Sequence, residues 1–287
     1  MPKSLKYKLV ECPRDAMQGI KTFIPTEIKI EYLNLLLKVG FDTLDFGSFV
    51  SKKAIPQMAD TAEVLASLHL SDKKTKLLAI VANTRGAEDA CKHAEIDCLG
   101  YPFSISETFQ QRNTNTSIAQ SAQTVDEILN LCDKTNKKAV VYISMGFGNP
   151  YGDAWNYEII EQWATALIEK GVSIISVADT IGSSTPSQII EIMPRLIQQF
   201  DKIEIGIHLH SNAANSIDKI EATYASGCTR IDSALKGFGG CPMAEDHLTG
   251  NLATEQVIKF LEDSGHQSSL DLDYWNEAMA FSTKVFG

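Results

Sequence analysis

Short β-branched runs alternate with longer amphipathic segments along all 287 residues of this chain, and few folds tolerate that rhythm. The pattern predicts strands at Tyr7–Cys12, Asp42–Gly47, Leu77–Ala82, Ile96–Phe103, Ala139–Ser144, Ser173–Ala178, Glu204–His210 and Arg230–Leu235. Helices are predicted between them at Thr26–Val39 (opened by a Thr cap), Thr61–Leu70, Thr84–His93, Thr124–Thr135, Trp155–Lys170, Thr185–Gln199 and Ala213–Ser226, followed by Asn251–Glu262. Runs such as Ile174–Val177 are apolar on both faces, as a parallel sheet covered by helices requires. Eight such units in roughly 250 residues predict an α/β fold, a closed (β/α)8 TIM barrel. A doubly wound open sheet competes, but no glycine-rich turn follows the first predicted strand. No Pro/Gly/Ser-rich linker interrupts the pattern, so residues 1–287 read as a single domain with Leu270–Phe286 as an appended C-terminal helix.

Composition narrows the function classes. The formal charge of −10, with no Lys/Arg-rich tract, argues against nucleic acid as a partner. No apolar run reaches the roughly 18 residues of a spanning helix, and Met1–Val10 lacks a signal-peptide core, so no membrane partner and a cytosolic location are expected. The six cysteines form no Cys-x-x-Cys pair and are expected to be mostly reduced thiols. The oligomeric state stays open, a homo-oligomer included.

Barrel enzymes carry their chemistry at the carboxyl ends of the strands. After the first strand, Arg14, Asp15 and Gln18 share one short turn, which by itself reads equally as a surface ion pair. On the seventh, His208 and His210 stand at i and i+2, on one face of the strand, where both imidazoles reach a common ion. Asp15 from across the barrel mouth and Asn251 from beyond the eighth strand supply oxygens. Two nitrogens and two oxygens suit Mg2+ or Mn2+ better than a thiolate-rich zinc site. Gly237-Phe238-Gly239-Gly240-Cys241-Pro242 reads either as a plain turn with an incidental thiol or as a lid that brings an ionisable thiol over the metal.

Taken together these residues resemble the 3-hydroxy-3-methylglutaryl-CoA lyase family of metal-dependent barrels. The matching stretches are Val10-Glu11 with Pro13-Arg14-Asp15 and Gln18, Ser48–Ser51 with Pro56–Met58, Asp179–Gly182, His208-x-His210, Gly239–Pro242 and Gly250–Glu255. The resemblance implies metal ligation by Asp15, His208, His210 and Asn251 and catalytic roles for Arg14, Cys241 and Asp45. It also implies an acyl-CoA thioester substrate, cleaved to acetoacetate and acetyl-CoA. In such a reaction a guanidinium stabilises the enolate oxygen and a thiol returns the proton.

Gln18, Ser48, Asp179 and Thr180 are expected to meet the substrate, Asp179 also holding a ligand histidine or a water, and Lys52 and Lys53 are placed to meet coenzyme A phosphates or simply solvent. Asp45 stands where the family pattern has glutamate, Ala16 replaces a glycine, and Ser211–Ala214 replaces an acidic, glycine-containing segment. These departures leave open a related enzyme acting on another hydroxy-acyl-CoA or 2-oxo acid, or a barrel that binds a metabolite without turnover. Lys236, unusual beside the glycine-rich loop, reads as a partner of Asp45 or of a substrate carboxylate, as a solvent-facing residue, or as a Schiff-base nucleophile in a metal-free aldolase.

Overall fold

A computed structural model describes residues 6–71, 73–240 and 249–287. Eight strands carry the barrel: β1 Lys8–Glu11, β2 Thr43–Ser48, β3 Lys76–Ile80, β4 Cys98–Ser104, β5 Lys138–Ser144, β6 Ile174–Asp179, β7 Glu204–Ser211 and β8 Arg230–Ser233. Each pairs in parallel with its sequence neighbours, and β8 with β1 closes the cylinder. The predicted TIM barrel is therefore the fold observed.

The helices outside it are α1 Pro13–Gln18, α2 Thr26–Val39, α3 Thr61–Ala66, α4 Thr84–Cys91, α5 Glu107–Thr114, α6 Ile118–Thr135, α7 Tyr157–Glu169, α8 Pro186–Gln199, α9 Ser216–Ala225, α10 Thr254–Asp263 and α11 Leu272–Phe286. Several ends differ from the sequence expectation for local reasons. Pro25, not Thr26, precedes α2, and the Thr26 hydroxyl instead donates to Asp60 at 2.8 Å. The long α6 opens six residues before Thr124, because Ser117 and Gln120 form a reciprocal capping box. Three elements were not anticipated at all, α5 among them. The Arg14-Asp15 turn is the helix α1, with Pro13 at its first turn, and Gly250–Asn251 form a short strand, β9, antiparallel to β7.

Most of the apolar core lies between the barrel and its helices. The C-terminal helix α11 packs on α2 through Tyr32 and Phe281, whose rings stack at 6.4 Å. Inside the cylinder the filling is divided. Leu78, Cys98, Val140, Tyr142 and Ile174 make an apolar cluster from β3 to β6, whereas β7, β8, β1 and β2 contribute charged and polar groups.

Two buried acids hold the carboxyl end of the barrel together. Glu11 accepts from the Leu235 amide at 2.8 Å and from the Thr254 hydroxyl at 2.6 Å, joining β1 to the segments that flank β9. Asp179 accepts from the amide and hydroxyl of Ser184 and from Lys219, whose ammonium lies 2.8 Å away. Lys219, wholly buried, also donates to the carbonyls of Gly182 and His210 at 3.0 and 2.7 Å, so it braces the turn after β6 against β7.

Removing one partner of such a pair strands the other charge away from water. Lys219→Met is expected to lower the unfolding free energy by about 3–5 kcal/mol in urea titration, with Asp179→Asn added to the same chain recovering part of that loss. Burial pushes the Glu11 carboxyl up to about 8, against the hydrogen bonds from Thr254 and Leu235. The folded chain then keeps this proton over a range where the unfolded chain, at an ordinary carboxyl value, has lost it. Rising pH therefore favours unfolding through this group, by up to roughly 1.4 kcal/mol per pH unit from the ordinary carboxyl value up to the folded one. Glu11→Gln should flatten the fall in stability between neutral pH and about pH 8, read from urea midpoints.

Candidate metal and active site

The site assembles where β1, β2, β7, β8 and β9 end. Helix α1 follows β1 directly, so Arg14, Asp15 and Gln18 are delivered to the barrel mouth as one turn of helix. The Arg14 guanidinium is held on three sides. Its Nε and Nη2 donate to Asp45, the latter at 2.5 Å, while Nη1 donates to Asp15 Oδ1 and Gln18 Oε1, each at 3.0 Å. Gln18 Nε2 in turn donates to Asp15 Oδ1 at 2.8 Å.

Burial would raise the Asp15 carboxyl, but Arg14, both histidines and the Asn251 amide outweigh it and hold the group well below the usual carboxylate range. Asp45 balances differently. Its burial prevails over Arg14, with Asp15 and Asp232 adding repulsion, and the carboxyl sits at about 6. Arg14 itself loses charge stability on burial, yet its two carboxylate partners more than restore it.

The two histidines project from β7 with their Nε2 atoms 3.3 Å apart, and His210 Nε2 lies 4.0 Å from Asp15 Oδ2. Ligand atoms of Asp15, His208 and His210 all fall within 4.8 Å of one another. Burial, with His208 adding like charge, lowers His210 to about 4, leaving a neutral imidazole suited to ligation. Burial pulls His208 down as well, but Asp232, 3.3 Å from its Nδ1, together with Asp15 raises it above the usual value. Asp232 is a residue the sequence reading missed. A carboxylate on one ring nitrogen orients the other toward a metal.

Asn251 completes the set because β9 places it directly opposite His210 in the ladder. Its Nδ2 donates to Asp15 Oδ2 at 2.8 Å and to the Phe238 carbonyl at 2.9 Å. Its Oδ1 is buried without a hydrogen-bond partner among the described residues. An orphaned carbonyl oxygen next to a carboxylate and a neutral imidazole is a donor set that fits a hard divalent cation. The approach is close. A Cβ on Gly239, at φ +124°, would come within 2.2 Å of Asn251 Nδ2 and 2.9 Å of Asp15 Oδ2, so only glycine passes there.

Arg14, Asp15, Asp45, His208 and His210 open onto a cavity of about 430 Å³. Its wall includes Arg14, Asp15, Gln18, Asp45, Ser48 and Thr180, as expected, and also Tyr142 and the α5 end around Arg112 and Asn113, which the sequence reading did not single out. The low amphipathicity of α5 hides it from a periodicity search. Asp179 departs from its expectation, and the lysines face solvent, a reading left open for them. Asp179 does not line the cavity or hold a histidine ring, since Ser184 and Lys219 occupy its oxygens. Lys52 and Lys53 are exposed, and the cavity wall from their loop is made by Val50, Ser51, Ala54 and Ile55 instead. Lys236 is exposed, and Asp45 is held by Arg14, which leaves no desolvated amine for a Schiff base. Cys241 lies outside the described residues.

The model of the HMGL-like family matches residues 8–281. The rat cytoplasmic 3-hydroxy-3-methylglutaryl-CoA lyase is 31% identical over 97% of this chain and 80% of its own length. The hydroxymethylglutaryl-CoA lyase of Bacillus subtilis is also 31% identical, over 95% of this chain and 90% of its own. Among solved structures, an HMG-CoA lyase from A. baumannii in complex with coenzyme A and 3-methylmalate superposes with a TM-score of 0.91 at 27% identity, covering 99% of this chain and 92% of that one. The carboxyl transferase domain of Rhizobium etli pyruvate carboxylase shares the fold, with a TM-score of 0.71 at 15% identity and coverage of 99% and 47%. With nearly its whole length matched and its charged residues gathered at one barrel mouth, the chain belongs to the HMGL-like family.

Proposed function

We propose that this protein is a carbon–carbon lyase that cleaves 3-hydroxy-3-methylglutaryl-CoA to acetoacetate and acetyl-CoA with the help of a divalent cation. The observation that carries the reading is the convergence of Asp15, His208 and His210 at one side of a cavity whose adjoining wall is Arg14, with Asn251, its own oxygen orphaned, bonded to Asp15. The names of the relatives, and the coenzyme A in the A. baumannii structure, support the same substrate class.

Mg2+ or Mn2+ bound by those four residues would act as a Lewis acid toward the oxygen of the substrate's tertiary alcohol. Cleavage turns the alcohol into the ketone of acetoacetate, its hydroxyl proton leaving to solvent, and sends the electrons of the broken carbon–carbon bond toward the thioester carbonyl. Arg14, tied to Asp45, Asp15 and Gln18 before substrate arrives, presents a fixed positive charge to that oxygen and has little side-chain freedom left to lose. Asp45 thus acts on the substrate through Arg14. Ser48 and Thr180 offer hydroxyls at the cavity wall, although Thr180 already accepts from the Met145 amide at 2.9 Å. Cys241, in the segment after Gly240, is assigned the return of a proton to the carbon of the enolate. A cavity of this size takes the acyl group and the thioester end of the pantetheine arm. The nucleotide then rests at the rim, where Arg112, Lys52 and Lys53 are the cations available to its phosphates. A cytosolic setting follows the rat relative's name and the cysteine usage.

Purified protein supplied with Mg2+ or Mn2+ should release acetoacetate and acetyl-CoA from the thioester, and a chelator should abolish release until the cation is restored. Equal turnover in the chelated protein overturns the metal assignment, and turnover confined to a different acyl chain overturns the substrate.

The division of labour between the two groups of residues is separable. Arg14→Gln is expected to reduce kcat by about 10²-fold or more, with a much smaller change in Mn2+ affinity through the lost bond to Asp15. His210→Ala should instead weaken Mn2+ binding to the metal-stripped protein, measured by titration without substrate. A variant of Arg14 that keeps its rate removes the guanidinium from the mechanism.

A further inference from the structure

One rung below the histidines, polar residues cross four strands in register. Tyr142 on β5 lies opposite Ser176 on β6, Ser176 opposite Gly206 on β7, and Gly206 opposite Arg230 on β8, while Asp232 stands opposite His208 one step above. Alternation along each strand turns all of them to the barrel interior. Gly206 makes room for the arginine, since a Cβ there would lie 2.8 Å from Arg230 Cδ.

Arg230 is 2% exposed, and its Nη1 donates to Glu204 at 3.1 Å. Its Nε and Nη2 find no acceptor among the described residues, and Tyr142 Oη, Ser176 Oγ and Asp232 Oδ1 are likewise buried without partners. Five unsatisfied polar atoms on adjoining rungs forfeit a hydrogen bond each if the space between them is dry. Glu204, shared with Lys8, and Asp232 together offset the charges of Lys8 and Arg230, so neither a further anion nor a cation is called for. The atoms left over comprise donors, hydroxyls and one carboxylate oxygen, and a neutral molecule that both donates and accepts satisfies them all.

We propose that Arg230, Tyr142, Ser176 and Asp232 enclose a site for ordered water inside the barrel, and that this water, anchored by Arg230, completes the hydrogen bonding of Asp232 and so fixes the carboxylate that orients His208. Arg230 is then a positioning residue, acting through water and Asp232. The second half of the proposal rests on the assignment of His208 as a metal ligand, and its test needs neither substrate nor turnover.

The measurement is a high-resolution crystal structure of the full chain together with Mn2+ titration of the metal-stripped protein. Ordered water within about 3.2 Å of both Arg230 and Asp232 Oδ1 is expected. An interior without such density, or one in which these atoms pair with one another, overturns the site. Arg230→Met should raise the Kd for Mn2+ by about 10-fold or more, and Arg230→Lys should recover part of it. Ser176→Ala, which removes a single hydroxyl, should lose a water from the map and shift the Kd in the same direction, and it serves where Arg230→Met does not fold. Water present with unchanged Mn2+ affinity in the variants overturns the positioning role. Absence of lyase activity in a protein that meets both expectations overturns only the function proposed above.

Discussion

A single buried carboxylate, that of Asp15, ties the site together. Its two oxygens accept from Arg14, Gln18 and Asn251, and His210 stands 4.0 Å from one of them. Those partners come from α1, from β9 and from β7, so the acid is the point at which the first and last parts of the chain meet. A carboxylate with 5% exposure stays ionised only when donors and positive charge surround it. That requirement reaches outward. It fixes the rotamer of Arg14, aims the amide nitrogen of Asn251 inward so that its oxygen is left free, and obliges residue 239 to be glycine.

The scaffold beneath this carboxylate is stiffened by further buried acids, each with a different duty. Glu11 holds the segments on either side of β9 and thereby sets the register that brings Asn251 opposite His210. Asp179 and Lys219 brace β7 from its other flank, Lys219 bonding directly to the His210 carbonyl. Asp232 holds the ring of His208. None of these acids need touch substrate. They keep two imidazoles and an amide from relaxing away from one another when no cation is bound.

Much of this was legible in the sequence, and the reasons for the rest are physical. Eight strands appear as β-branched runs because parallel barrel strands are covered on both faces, and His208-x-His210 announces a shared face through the two-residue period alone. The two-residue β9 has no such signature. Asn251 therefore read as the start of a helix, although it is a strand residue whose placement depends on pairing with β7. Asp179 read as a site acid because its strand end faces the mouth, whereas its partner Lys219 lies 40 positions away on a helix and no local pattern links them. Asp232 was overlooked for a similar reason, since its meaning comes only from its register opposite His208. Lys52 and Lys53 keep both of their readings, since an exposed basic pair in the loop that walls the cavity faces solvent whether or not a phosphate comes to it.

The charges near the barrel mouth give an independent argument for the cation. Asp15 and Asp45 each bring a formal negative charge to the mouth, and Arg14 offsets one of the two. The Asp179–Lys219 pair is self-compensating, while Glu204 is shared by Lys8 and Arg230, and the charge that remains on that side faces Asp232. His210, lowered to about 4, contributes no charge at neutral pH. One negative charge remains formally unbalanced among these buried groups, beside an imidazole and a carbonyl oxygen with lone pairs to give. Repulsion among these acids is already visible in Asp45, which Asp15 and Asp232 help to raise toward 6 despite its bonds to Arg14. A dication at the Asp15–His208–His210–Asn251 focus offsets that excess and accepts those lone pairs, which an ammonium group cannot do.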